Sequence, residues 1–249
     1  MRRAAPILLC LLLAATSFGL YACVRVERVR PPEPAAPPVY KGRVAVEQLK
    51  GAYVFGGMDT LKSQVNVKVR TEEESLGTFK GVFAYMSPDL MRLRLFGPVG
   101  MDAVELLASG TLVQFYVPNK KTIYEGRAAP FAIPREARFS VVETPDGYTL
   151  YAFRPGGSME LLGEYSFDRS LRQVGMVVYK DRQKLVEVEF GDYSGRLPGA
   201  MKFSFFNGYV MDMTLVGPVV DSDIPREYFS PLRHEGRKVL PITLSAGGP

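Results

Sequence analysis

Leu61-Lys62-Ser63-Gln64-Val65-Asn66-Val67-Lys68-Val69-Arg70 decides the fold. Leu61, Val65, Val67 and Val69 alternate with Lys62, Gln64, Asn66, Lys68 and Arg70, and a period of two gives one extended strand an apolar and a polar face. Met91, Leu93 and Leu95 alternate with Arg92 and Arg94 in the same way. Working outward, the pattern predicts further strands near 78–86, 101–108, 111–117, 148–154, 158–167, 172–180, 183–192, 200–206 and 208–216. Turn residues separate them at Ser87-Pro88-Asp89, Ser109-Gly110, Pro118-Asn119, Pro145-Asp146-Gly147, Pro155-Gly156-Gly157 and Asn207-Gly208. Strands in such close succession leave no room for the crossover helices of a parallel sheet, so an antiparallel meander is expected. Only Val44 to Phe55 reads as a helix near the start, with Val44, Leu49, Ala52 and Tyr53 on one side and Gly51 as its weak point. The expected fold is mainly β, an open antiparallel β-barrel or strongly curved sheet with a short N-terminal helix.

Composition narrows the chemistry. Of 249 residues, 47% are hydrophobic and 23% charged, a balance that supports a folded core. Two cysteines and one histidine cannot assemble a Cys/His zinc site, which takes about four ligands. A Ser–His–Asp triad would rest on His234 alone, which lies in a Pro- and Arg-rich tail and reads as a solvated imidazole. Glu187 and Glu189 share a strand face, about 6.5–7 Å apart by strand rise, a spacing compatible with a glycosidase pair. They fall opposite Val186, Val188 and Phe190, however, which puts them on the solvent side. Glu72-Glu73-Glu74 reads as a charged turn, and no Gly-rich phosphate loop is present. The expectation is a protein without catalytic residues, metal or cofactor.

The N-terminus points to the cell envelope. Arg2 and Arg3 precede an uncharged apolar run from Ala4 to Ala15, too short for a membrane span of about 20 residues but suited to a secretory signal. Leu20-Tyr21-Ala22-Cys23 resembles a bacterial lipobox, with Tyr21 in place of the usual small residue. Cys10 leaves with such a signal, and Cys23 becomes the single remaining cysteine at the mature N-terminus, where lipidation accounts for it. Ordinary secretion, with Cys23 an incidental thiol, is the alternative. Loss of residues 1–22 removes two arginines and no acids, so the net charge falls from +5 to +3, too mild for a nucleic-acid partner. Residues 23–40 then form a tether, extended by Pro31, Pro32, Pro34, Pro37 and Pro38. The organisation expected is a signal peptide over 1–22, a tether over 23–40, a β domain over 41–235 and a flexible tail over 236–249. Val24 follows the cysteine where an inner-membrane retention signal would place Asp, which favours the periplasmic face of the outer membrane.

Several predicted strands carry large apolar residues on one parity, among them Phe79, Phe83 and Tyr85; Val113, Phe115 and Val117; Met201, Phe203 and Phe205; and Tyr209, Met211, Met213 and Leu215. Such faces fill a solid core in some β proteins and line an open cavity in others, and the pattern is compatible with both.

Met91-Arg92-Leu93-Arg94-Leu95-Phe96-Gly97-Pro98-Val99-Gly100, then Glu105-Leu106, Val113-Gln114-Phe115-Tyr116 and Tyr124, resembles the LolA/LolB lipoprotein carriers, and among them the outer-membrane receptor LolB. The match is closest over residues 78–126. It implies an unclosed, curved β-barrel whose concave side holds acyl chains of lipids or lipoproteins. It also implies non-covalent delivery to the outer membrane, with a periplasmic lipoprotein carrier as donor. Cavity-lining residues on this resemblance are Phe83, Tyr85, Met91, Leu93, Leu95, Phe115, Phe203, Phe205, Met211 and Met213. The loop Gly97, Pro98, Val99 and Gly100 takes the place of a membrane-inserting turn, with Val99 where the receptor has Leu. Where those carriers have helical lid material, this chain has Gly126 to Arg135 with Pro130 and Pro134, which implies a reduced lid or a more open cavity. A structural or assembly lipoprotein with a filled barrel is the competing expectation.

Overall fold

The computed structural model describes residues 44–71, 73–97, 100–127, 133, 136–156, 160–180, 182–205 and 208–242. Cys23, the signal segment, the tether, Pro98, Val99 and most of 128–135 therefore lie outside the described residues.

Val46–Gly51 forms a short helix, α1. Its start is fixed by the Gln48 side chain, which accepts the Ala45 N–H at 2.8 Å. Gly51 ends it, so the helix is half the length the periodicity predicts, and Tyr53 to Phe55 continue as a buried turn.

Six strands follow, β1 (Thr60–Arg70), β2 (Ser75–Met86), β3 (Leu90–Phe96), β4 (Asp102–Ser109), β5 (Leu112–Val117) and β6 (Thr122–Arg127). Seven more are β7 (Arg138–Thr144), β8 (Gly147–Phe153), β9 (Leu161–Asp168), β10 (Gln173–Lys180), β11 (Gln183–Ser194), β12 (Leu197–Phe205) and β13 (Val210–Val220). β14 (Lys238–Pro241) completes a single 14-stranded sheet in the order β14-β6-β5-β4-β3-β2-β1-β13-β12-β11-β10-β9-β8-β7. Two antiparallel meanders, β1–β6 and β7–β13, are thus joined where β1 pairs with β13. Only β14 runs parallel to its neighbour, β6. The sheet does not close: β14 and β7 are its two edges.

Connectivity forces the sheet to curl. β6 and β7 are consecutive in sequence yet lie twelve strand positions apart. In a flat sheet that separation would be about 57 Å at roughly 4.8 Å per strand. The chain from Arg127 to Arg138 can span no more than about 38 Å even fully extended. Gly81 permits part of the bend, since a Cβ there would lie 2.3 Å from the Arg94 carbonyl oxygen on the facing strand.

One apolar cluster gathers the concave face: Leu61, Val65 and Val67 of β1, Phe83 and Tyr85 of β2, Leu150, Tyr165, Met176, Val188, Phe203 and Met213 among others, with Leu49, Tyr53, Val54 and Phe55 from the N-terminal segment. A second, smaller cluster lies on the convex face, where Ala84, Leu90 and Leu107 meet Ile224 and Phe229. The eleven predicted strands are all present, with ends shifted by a few residues. β6, β7 and β14 were not predicted. β7 follows two prolines and is half-exposed, so its Phe139/Val141 alternation is short and weak. β14 falls inside the segment expected as a flexible tail from 236, which is corrected over Lys238–Pro241.

Candidate functional site

The residues after α1 form a plug on the concave face. Phe55 packs against Tyr85 with ring centroids 4.9 Å apart and against Phe83 at 6.4 Å, and Tyr53 meets Tyr165 edge-on at 5.8 Å. Polar contacts tie the plug to both meanders. The Tyr85 hydroxyl of β2 donates to the Phe55 carbonyl at 3.1 Å, and the Val54 N–H donates to Gln173 Oε1 of β10 at 3.0 Å. Burial raises the Tyr53 hydroxyl well above its usual range, with Tyr165 and Tyr85 adding to the shift, and burial alone raises Tyr165.

The predicted lining residues fall into two groups. Phe83, Tyr85, Met91, Leu93, Leu95, Phe203 and Met213 are buried in the concave core, and Phe83 and Tyr85 meet Phe55 of the plug. Phe115 and Met211 are half-buried, and Phe205, at 37% exposed, stacks on Phe203. The concave wall is thus sealed under the plug and looser at β5 and β6, where Phe115 meets Tyr124 at 6.2 Å. Of the loop 97–100, Gly97 and Gly100 are described, and Gly97 N–H donates to the Met101 carbonyl at 2.8 Å. Met101 follows the loop 70% exposed, an apolar side chain at that tip that the sequence pattern did not single out.

An open space of about 640 Å³ lies at one end of the plug. Its floor is Tyr53, Val54 and Gln173; its walls are Met58, Leu171, Tyr193 and Leu197; Gln48, Ser194, Arg196 and Val220 stand at the mouth. None of the ten predicted lining residues borders this cleft. It exists because the sheet splits. β12 pairs with β13 only over Ala200–Ser204 and Val210–Thr214, whereas β13 continues along β1 to Val220. Pro198 and Pro218 lack the N–H that a continued ladder would use, and Gly217 turns the chain with φ near +60°. Asp168 builds one wall: its Oδ1 accepts the N–H groups of Ser170 (2.8 Å) and Arg172 (2.9 Å), and its Oδ2 accepts Arg172 Nε at 2.8 Å. The Tyr193 hydroxyl donates to the Gln173 carbonyl, and its ring lies 5.7 Å from the Arg172 guanidinium. Burial, followed by the nearby Asp168 charge, raises the Tyr193 hydroxyl. The floor was invisible in sequence apart from Tyr53. The rest of the lining comes from two connections and the strand ends that flank them, Ser170 to Gln173 and Tyr193 to Leu197, where strand parity gives no signal.

The other candidates are accounted for elsewhere. Glu187 pairs with Lys184 at 2.8 Å and Glu189 with Lys202 at 2.5 Å on the solvent side of β11, away from buried Val186, Val188 and Phe190. His234 Nε2 lies 3.0 Å from Glu125 Oε2, part of the clasp that holds the C-terminal segment to β5 and β6. Among the described residues no three His, Cys, Asp or Glu side chains converge on a point where a metal ion would sit.

No protein-family model matches the chain, and no curated protein matches it. Solved structures match in fold. A LolA superfamily protein from Nitrosomonas europaea aligns with a TM-score of 0.54 at 10% identity, over 76% of this chain and 99% of its own. A domain from Vibrio parahaemolyticus described as an outer membrane lipoprotein-sorting protein aligns with a TM-score of 0.55 at 13% identity, over 74% and 94%. A DUF1329 family protein from Desulfovibrio piger aligns at 0.53 and 10% identity, over 74% and 95%. The chain therefore has the fold of these proteins, at identities that speak for architecture alone.

Proposed function

We propose that this chain is a lipid-anchored envelope protein of the LolA/LolB-like carrier superfamily, non-catalytic, that binds acyl chains and assists their delivery to the outer membrane. The observation that carries this reading is a fold shared with a LolA superfamily protein, together with an apolar concave face that is covered in this chain by its N-terminal segment. Leu49, Tyr53, Val54 and Phe55 are each at most 5% exposed. Burial of such side chains is worth about 1.5–3 kcal/mol apiece, so lifting the plug costs on the order of 8 kcal/mol. A guest chain returns about 0.8 kcal/mol per buried methylene, so on the order of ten methylenes balance the exchange. A near-balanced exchange suits a carrier, which must release as well as bind. In that state Phe83, Tyr85, Met91, Leu93, Leu95, Phe115, Phe203, Phe205, Met211 and Met213 would line the occupied cavity. Cys23 would carry the anchor, and the 97–100 loop, with Val99 and the neighbouring Met101, would touch the membrane.

Mass spectrometry of organic extracts from purified protein tests the reading. Co-purified lipid at near one equivalent is expected, and its absence after expression in an envelope-bearing host would refute binding. A Cys23→Ser protein is expected to leave the membrane fraction under a high-salt wash. Val99→Glu is expected to weaken vesicle association; unchanged association removes the loop from the mechanism.

The burial of seven predicted lining residues in the concave core favours a second reading, an anchored scaffold whose filled core never opens. The same extraction separates the two.

A further inference from the structure

We infer that the cleft between the plug and the β11–β12 turn is a binding site for a single-chain amphiphile with an anionic headgroup, a ligand class narrower than acylated molecules in general. The inference rests on the acyl-binding reading above and adds to the concave cavity a second place, with its own selectivity, that is lined by the plug in its seated position.

Size comes first. At about 640 Å³ the cleft falls within the range of about 300–1,000 Å³ typical of small-molecule sites. That is room for one hydrocarbon chain and leaves little for a second. Its interior is mostly apolar, lined by Met58, Leu171, Leu197, Tyr53 and Val54 beside the Gln173 amide.

Charge decides the headgroup. Two arginines border the cleft, and they are in different states. Arg172 is spent on Asp168, which it meets through both Nε and a terminal nitrogen at 2.8 Å. Arg196 stands exposed in the turn between β11 and β12 and makes no hydrogen bond or ion pair among the described residues. Its guanidinium reaches across the mouth: a Cβ on Gly57, in the loop after α1, would lie 3.9 Å from Arg196 Nη1. Asp168, the carboxylate of this wall, is already committed to Arg172 and two backbone N–H groups. A cation held over an apolar cleft with no carboxylate of its own matches a carboxylate or phosphate head above a buried tail. The neutral Gln48 at the same mouth adds an amide that can donate to that head.

The test is calorimetric titration of the full-length protein, delipidated and kept below the critical micelle concentration of each probe. The probes are palmitoyl-lysophosphatidylglycerol, the uncharged monopalmitoylglycerol, two-chain dipalmitoyl-phosphatidylglycerol and inorganic phosphate. One equivalent of the lysophospholipid is expected to bind, more tightly than the two-chain lipid, with no binding of inorganic phosphate. Arg196→Gln is expected to weaken the lysophospholipid about tenfold, the loss of one charge-assisted contact, and to leave monopalmitoylglycerol unchanged. Leu197→Asp is expected to weaken both single-chain probes; circular dichroism of each variant checks that the sheet is intact. If Arg196→Gln leaves the lysophospholipid affinity unchanged, or the two-chain lipid binds equally well, the assignment of this cleft is overturned while acyl binding by the concave face stands. If no acyl probe binds, the carrier reading itself falls.

Discussion

The two faces of this sheet are covered by opposite ends of the chain, and they are held in different ways. On the concave side the plug from Leu49 to Phe55 is sealed by rings and aliphatic groups, with hydrogen bonds from Tyr85 to Phe55 and from Val54 to Gln173 at its C-terminal end. On the convex side the segment from Ile224 to His234 adds directional contacts to the small apolar cluster of Ile224 and Phe229. Arg92 of β3 donates to Glu105 of β4 and to the Tyr228 carbonyl, with its guanidinium 4.9 Å from the Tyr228 ring. The Leu232 N–H donates to Gln114 Oε1 at 2.7 Å, and Gln114 Nε2 donates to Glu125 at 2.8 Å. Apolar attraction has no preferred partner, so the hold on the plug depends on buried area more than on matched groups. A buried ion pair and a fully bonded amide accept only a segment with matching groups, so the convex strap is built to stay. Under the proposed function the concave cover is the part that gives way and the convex strap the part that stays.

Phe55→Ala breaks the comparison most strongly. It should cost about 3–5 kcal/mol in urea unfolding, the range for a large buried ring, and should raise binding of an apolar fluorescent dye by baring the concave wall. A loss of stability without new dye binding would mean that the wall collapses shut. Glu105→Ala leaves Arg92 largely buried without its carboxylate and should cost about 2–3 kcal/mol, with dye binding unchanged because the concave side stays sealed. Gln173→Leu removes the acceptor of the Val54 N–H and should cost about 1–2 kcal/mol, while loosening the plug enough to speed hydrogen exchange there.

The smallest effect at neutral pH is the most specific in its sign. Burial raises Tyr53 and Tyr165, and burial with the Glu164 hydrogen bond pushes Tyr179 up to about 12. The unfolded chain loses these protons near 10, before the folded one does, so their stabilising share is complete below pH 10 and disappears as pH rises through the folded values. Unfolding midpoints should be flat up to that point and fall above it. Tyrosinate absorbance should show a set of hydroxyls that ionise only as the protein unfolds. Early ionisation of every tyrosine would mean that the plug opens without global unfolding.

The strand pattern was legible because a sheet with one buried face imposes a period of two on its sequence. Val65, Val67, Leu93 and Leu95 declare their side without any knowledge of their partners. β7 and β14 were not legible, since an edge strand has one neighbour and a weaker alternation. The solvent position of Glu187 and Glu189 followed from parity alone and is what the structure has. The cleft is another matter. Leu171 and Arg196 lie between strands and Tyr193 and Leu197 at strand ends, where no sustained period says which cavity a side chain enters.

By itself the sequence determined the element type, the faces of the central strands and the meander, because these depend on residues close together in the chain. Tertiary structure alone decided that the concave wall is closed by a segment from the N-terminal side, that the convex wall is strapped by the C-terminal one, and that an arginine with no hydrogen bond or ion pair among the described residues stands over the cleft where two strands part. Those outcomes depend on contacts between residues far apart in sequence. The free energy of such contacts is set by shape and charge in space, and local pattern carries no record of it.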